Sequence, residues 1–165
     1  MSKEREQPWS DEGVGRGRVV VVSDNPIGRA VVEIAEIAGR RAMLLDDEAT
    51  EPSPLQWLAA NPLSETDALV LCDHDAPQAQ DLLRLGLEGR AGYVAMMGSR
   101  RRAEHVFATL EQTMPPDALA RLRVPAGLNT GGTAPGEIAL SVVAEIVAVF
   151  YGRDGGPMKA RAESQ

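Results

Sequence analysis

Cysteine, histidine, positive charge and long apolar runs are all scarce in this chain, and each shortage removes a class of function. The 165 residues contain one cysteine, Cys72, which excludes an internal disulfide. His74 and His105 are the two histidines beside it, so no zinc-type ligand set stands at a familiar spacing and no structural metal is expected. Acidic side chains outnumber basic ones by 24 to 17, leaving a net charge of −7. A nucleic acid or an anionic membrane surface would need a basic face to neutralise its phosphates, so neither is expected as a partner. No stretch approaches the roughly 20 apolar residues of a membrane span. The opening residues, MSKEREQPWSDEG, lack the apolar core of a signal peptide, and the cytoplasm is the expected location.

What is present is a core. With 44% hydrophobic residues, a chain of this length can bury one sizeable interior and no second domain. Residues 1–17 and 153–165 are too polar and glycine-rich to order themselves and are expected to be tails. Between them, short β-branched or aliphatic runs alternate with segments of helical period, the pattern of parallel βαβ units. Arg18 to Val22 (RVVVV) reads as a strand buried on both faces in the middle of the sheet. Ala42 to Leu45, Ala68 to Cys72 and Tyr93 to Met97 follow as strands, and a fifth is expected near Arg123 to Ala126, where Pro125 limits pairing. Ile27, Val31, Ile34, Ala35 and Ala38 share one helical face that Gly39 ends, and Ala103, Val106, Phe107 and Leu110 repeat the stripe. From Pro135 to Tyr151 the polar side chains after Glu137 are Ser141 and Glu145, four apart on an apolar rod, which predicts a helix buried nearly all round, within the domain or against a partner. The expected architecture is a single α/β domain, doubly wound and Rossmann-like, with a mostly parallel sheet.

In such a sheet, ligands bind among the loops that leave the carboxyl ends of the strands. Ser23-Asp24-Asn25-Pro26-Ile27-Gly28 stands where a dinucleotide fold carries G-x-G-x-x-G, and Gly28 alone of the three glycines remains. Ser23 and Asn25 replace the glycines that allow the tight turn and the approach of a pyrophosphate, and an ordinary strand-to-helix turn is the rival reading. Asp46 or Asp47 lies at the offset of an acid that holds a ribose, with a solvated turn as the alternative. Cys72-Asp73-His74-Asp75 offers groups for ligand contact, although Cys72 reads as a small apolar residue and no catalytic residue is assigned. Gly98-Ser99-Arg100-Arg101-Arg102 opens a helix with three arginines that oppose the macrodipole, a conflict a bound anion such as a phosphate would offset. Asn129 and Gly131 sit in a small-residue stretch, Pro125 to Pro135, shaped for close approach by a ligand or a neighbouring backbone.

Taken together, Tyr93 to Arg102 (YVAMMGSRRR), Ala120 to Leu128 (ARLRVPAGL) and Glu137 to Val149 (EIALSVVAEIVAV) resemble the carboxyl-terminal Rossmann domain of the XdhC/CoxI family, accessory proteins of molybdenum hydroxylases. Asp46-Asp47 and His74-Asp75 fall where that family tends to carry an Asp-Asp-Arg and a Thr-His-Asp segment. The likeness spans about residues 18–152. The chain departs from the pattern at Ser23 to Gly28, at Asp73 in place of a Thr, and at Asn129 and Thr133, which replace two acids.

The resemblance implies an accessory protein that binds molybdenum cofactor, assists its maturation, and passes it to a hydroxylase of the xanthine or carbon monoxide dehydrogenase type. On that reading Ser23, Asn25, Gly28, Asp46, His74, Gly98, Ser99, Arg100, Arg101, Asn129 and Gly131 contact the cofactor, with the arginines at its anionic end. A hydroxylase subunit, a second copy forming a homodimer, and a separate chain supplying the family's amino-terminal domain are the expected partners. Two rivals stand beside it: an interaction module without a ligand, working through the apolar final helix, and an NAD(P)-dependent oxidoreductase, against which the lost glycines weigh.

Overall fold

The computed structural model describes residues 16–159, so most of both expected tails lies outside the described residues. Five strands form one sheet: β1 (Arg18–Val22), β2 (Arg41–Leu45), β3 (Ala68–Leu71), β4 (Tyr93–Met96) and β5 (Leu122–Arg123). All neighbours pair in parallel, in the order β2-β1-β3-β4-β5. β1 is interior but one place off centre, because β3 takes the middle position. β5 is shorter and earlier than its sequence suggests. Pro125 has no N–H to give, and the ladder resumes beyond it with Ala126 N–H on the Met96 carbonyl at 3.0 Å.

The strands read as continuous apolar runs because each face of the sheet is covered. On one face Val20, Val22, Leu69, Leu71, Val94 and Met96 pack beneath α2 (Pro54–Ala60), α3 (Ala79–Glu88), α4 (Arg100–Leu110) and α5 (Pro116–Leu119). On the other, Val19, Val21, Val70 and Tyr93 meet α1 (Pro26–Ile37) and α6 (Pro135–Phe150). Gly39 ends α1 with φ +83°, as its position predicts.

The amino edge of the sheet is clamped. Asp67, whose side chain is 4% exposed, accepts from Arg18 N–H at 2.7 Å, the Arg18 guanidinium at 2.9 Å and Ser64 N–H at 2.7 Å. Burial works against the charge of Asp67, yet these donors outweigh it and hold the carboxyl below its usual value. Gly17, assigned to the tail from sequence, belongs to this edge: a Cβ there would stand 2.1 Å from the Thr66 carbonyl oxygen. At the other end of the chain, residues 153–159 are exposed, but Gly155 lies against Leu128, where a Cβ would come within 2.8 Å.

The polar stripe of α6 faces inward. Glu145 accepts from the hydroxyl of the fully buried Tyr93 at 2.6 Å and from Gly127 N–H at 3.1 Å, with Arg123 at 3.7 Å, while Ser141 Oγ donates to the Ile138 carbonyl. The outward side of this helix is apolar instead, with Leu140 57% exposed and Tyr151, just past its end, 51% exposed. Within the single chain, burial therefore covers the face that carries Ala139, Val142, Val143 and Ile146 and leaves the side of Leu140 open.

Candidate functional site

Four loops meet at the carboxyl edge of the sheet. Leaving β1, Ser23 is buried with φ +101°, and its Oγ finds no hydrogen-bond partner among the described residues. Asn25 caps α1, its Oδ1 accepting from Gly28 N–H at 2.8 Å, while its Nδ2 donates to the Cys72 carbonyl at 3.1 Å. Gly28 packs so closely that a Cβ would stand 2.2 Å from the Ser23 carbonyl oxygen. Asp24 turns away and pairs with Arg29 at 2.6 Å.

Leaving β2, Asp46 is exposed and folds its carboxylate back onto Glu48 N–H at 2.9 Å. Asp46 is not among the residues that line the two cavities described below. Leaving β3, Cys72 is buried and its thiol pKa is pushed up to about 12 by desolvation, which makes it a core atom rather than a nucleophile. Asp73, His74 and Asp75 carry ligand-type atoms within 4.8 Å of one another. Asp75 is committed, however, with His74 Nε2 at 3.2 Å and Arg102 at 2.9 Å.

Leaving β4, Ser99 caps α4 by accepting from Arg102 N–H at 3.1 Å. Gly98 places this turn beside the β3 loop, where a Cβ would meet His74 Cβ at an ordinary contact distance of 3.7 Å. Successive helical residues point about 100° apart, and the arginines divide accordingly. Arg101 and Arg102 line a cavity of about 410 Å³ with His74, Ser99 and His105. Arg100 lines another of about 400 Å³ with Met97, Gly127, Asn129, Gly131 and Ser141. Among the described residues neither Arg100 nor Arg101 has a carboxylate partner.

The expected contact residues thus fall into separate groups rather than one crevice. His74, Ser99 and Arg101 share the first cavity; Arg100, Asn129 and Gly131 share the second; Ser23, Asn25 and Gly28 form a closed turn beside them. The second cavity owes its shape to the glycine stretch. Gly127 (φ +102°) would bring a Cβ to 2.5 Å from Ser141 Oγ, and its N–H is held by Glu145. Glu137 ties the far end of the loop by accepting from Thr133 and Ala134 N–H.

The model of the XdhC Rossmann domain matches residues 19–146, most of the described chain. The chain belongs to this family. A curated relative, uncharacterized protein YqeB of Escherichia coli (strain K12), is 25% identical over 160 residues, covering 87% of this chain and 29% of the relative. A solved structure described as a xanthine dehydrogenase from Bacillus halodurans superposes with a TM-score of 0.68 at 22% identity, covering 84% of this chain and 44% of that one. This likeness shows the fold. The chain therefore spans under half the length of either of these proteins.

Within this XdhC Rossmann domain, sequence reasoning passed over two contributors to the site. His105 lines the first cavity one helical turn beyond Arg101, and that i, i+4 spacing was the available signal. Glu145 shapes the second cavity from beneath, through a contact with Gly127 that is 18 residues away in sequence and has no local signature.

Proposed function

We propose that this XdhC domain is an accessory protein of molybdenum hydroxylases, which holds molybdenum cofactor at the β4–β5 side of its carboxyl edge and delivers it to a hydroxylase subunit. The observation that carries the reading is the pair of arginines, Arg100 and Arg101, each without a carboxylate partner and each facing a cavity of ligand size. The donor set fits a pterin bearing a phosphate. A guanidinium at the start of α4 meets the phosphate, and Asn129 with the backbone of the glycine stretch offers the mixed donors and acceptors that a pterin edge requires. When bound, the cofactor would supply the molybdenum chemistry of the client enzyme. The residues of this chain bind and orient it. A homodimer and a cytoplasmic location complete the proposal.

The test is retention of purified molybdenum cofactor by the full chain on gel filtration, read from the fluorescence of the oxidised pterin. The wild type is expected to co-elute with the pterin. Arg100→Ala is expected to weaken binding by roughly 10- to 100-fold, the cost of about 1.5–3 kcal/mol for a lost charge-assisted contact. No retention by the wild type, or equal retention by Arg100→Ala, refutes the assignment. The outward apolar side of α6, with Leu140 and Tyr151, supports a second reading as an interaction module without a ligand. That reading requires capture of a hydroxylase subunit by a protein that retains no cofactor.

A further inference from the structure

We propose that Asn25 is a specificity-determining residue: its side chain bolts the switch-point crevice between β1 and β3, so that the pyrophosphate of a dinucleotide has no seat at the start of α1. In a sheet ordered β2-β1-β3, the loops after β1 and β3 flank the place where a dinucleotide normally lies. The Asn25 carboxamide spans that gap, donating to the Cys72 carbonyl at the end of β3 and accepting from Gly28 N–H within α1. The inference is independent of the cofactor reading above.

The helix start has little left to offer an anion. Pro26, at the first helical position, has no N–H, and Gly28 N–H is taken by Asn25. Of the first three helical residues, Ile27 alone keeps an uncommitted N–H among the described residues. The backbone path nevertheless retains the form a glycine fingerprint would give. Ser23 holds the positive φ of the first glycine, and Gly28 keeps the close helix-to-strand approach of the third. Asp24 is paired with Arg29, so its charge is already offset. The block is therefore an occupant rather than a change of path, and a nucleoside diphosphate is the class of ligand it excludes.

The prediction is tested by calorimetric titration of the full chain with ADP-ribose. The wild type is expected to show no saturable binding at about 1 mM, whereas Asn25→Gly/Pro26→Ala is expected to bind at least about tenfold more tightly. Glycine is accepted at an N-cap at little cost, so this variant keeps the fold. Asn25→Asp/Pro26→Ala keeps an acceptor on Gly28 N–H and is expected to gain nothing. Wild-type binding as tight as that of the glycine variant overturns the proposal, as do equal affinities of the two variants or a glycine variant with wild-type circular dichroism and no gain. A wild-type Gly28 amide resonance that titrates with ADP-ribose overturns it without any variant.

Discussion

Deleting the carboxyl group of Glu145 should destabilise the fold by about 3–4 kcal/mol, and about half of that cost should vanish in a Tyr93→Phe background. The hydrogen bond from Tyr93 to Glu145, at 2.6 Å in the interior, is charge-assisted and of a kind that contributes about 1.5–3 kcal/mol. Glu145→Ala loses it and strands a hydroxyl on a residue with no solvent access, for about 1–3 kcal/mol more, and also frees Gly127 N–H. Arg123 adds little, since it is 3.7 Å away and 42% exposed. Tyr93→Phe removes one of several donors to the carboxylate and should cost about 2 kcal/mol. In Tyr93→Phe/Glu145→Ala no hydroxyl is left stranded, so the double variant should be about 1.5–2 kcal/mol less destabilised than the sum of the singles. Urea unfolding followed by circular dichroism measures all four corners of the cycle, provided the m-value is unchanged. Single-variant costs below about 1 kcal/mol, or additivity within about 0.5 kcal/mol, would refute the network.

Burial, together with the charge and hydrogen bond of Glu145, raises the ionisation of Tyr93 above its ordinary value. A group whose folded pKa is raised contributes stability below its unfolded pKa, about 10 here, and loses it as the pH climbs toward the folded value. Wild-type stability should therefore fall above about pH 10, with a slope that Tyr93→Phe lacks.

Two further predictions follow from the buried groups. Asp67→Ala should cost about 3 kcal/mol, because two backbone N–H groups and a guanidinium lose their acceptor. Because the folded pKa of Asp67 is depressed, its contribution is present above about pH 4 and lost as the pH falls through the folded value, so acid titration of stability should be flatter in the variant. Cys72, with its pKa pushed up to about 12 inside the core, should react with iodoacetamide at pH 8 at least about 100-fold more slowly in the native protein than in urea. Native labelling at the unfolded rate would show that the end of β3 is open.

The parallel sheet was legible because its signals are local and repeated: β-branched runs such as Arg18 to Val22 alternate with stripes such as Val31 and Ala35. Helix ends were legible for the same reason, since Ser99 at the start of α4 and Gly39 at the close of α1 act on their immediate neighbours. The site was legible only as an inventory of loops. Which side chains share a cavity depends on the rotation between Arg100 and Arg101 and on contacts such as Asn25 with Cys72, 47 residues apart, which no periodicity encodes. The inward turn of Glu145 was missed for a related reason. A polar stripe on an apolar helix has the same pattern whether it meets water or a buried tyrosine, and Tyr93 lies 52 residues away.

The division of the arginines at the start of α4 has a practical corollary. Three adjacent codons specify three different situations: Arg100 addresses the glycine-lined cavity, Arg101 the histidine-lined one, and Arg102, on the wall of that same histidine-lined cavity, is anchored to Asp75. Replacing the triplet as a block would merge two binding defects with a loss of local anchoring. Reversing the charge of Arg100 or of Arg101 alone makes each cavity separately addressable while leaving the Arg102–Asp75 anchor in place.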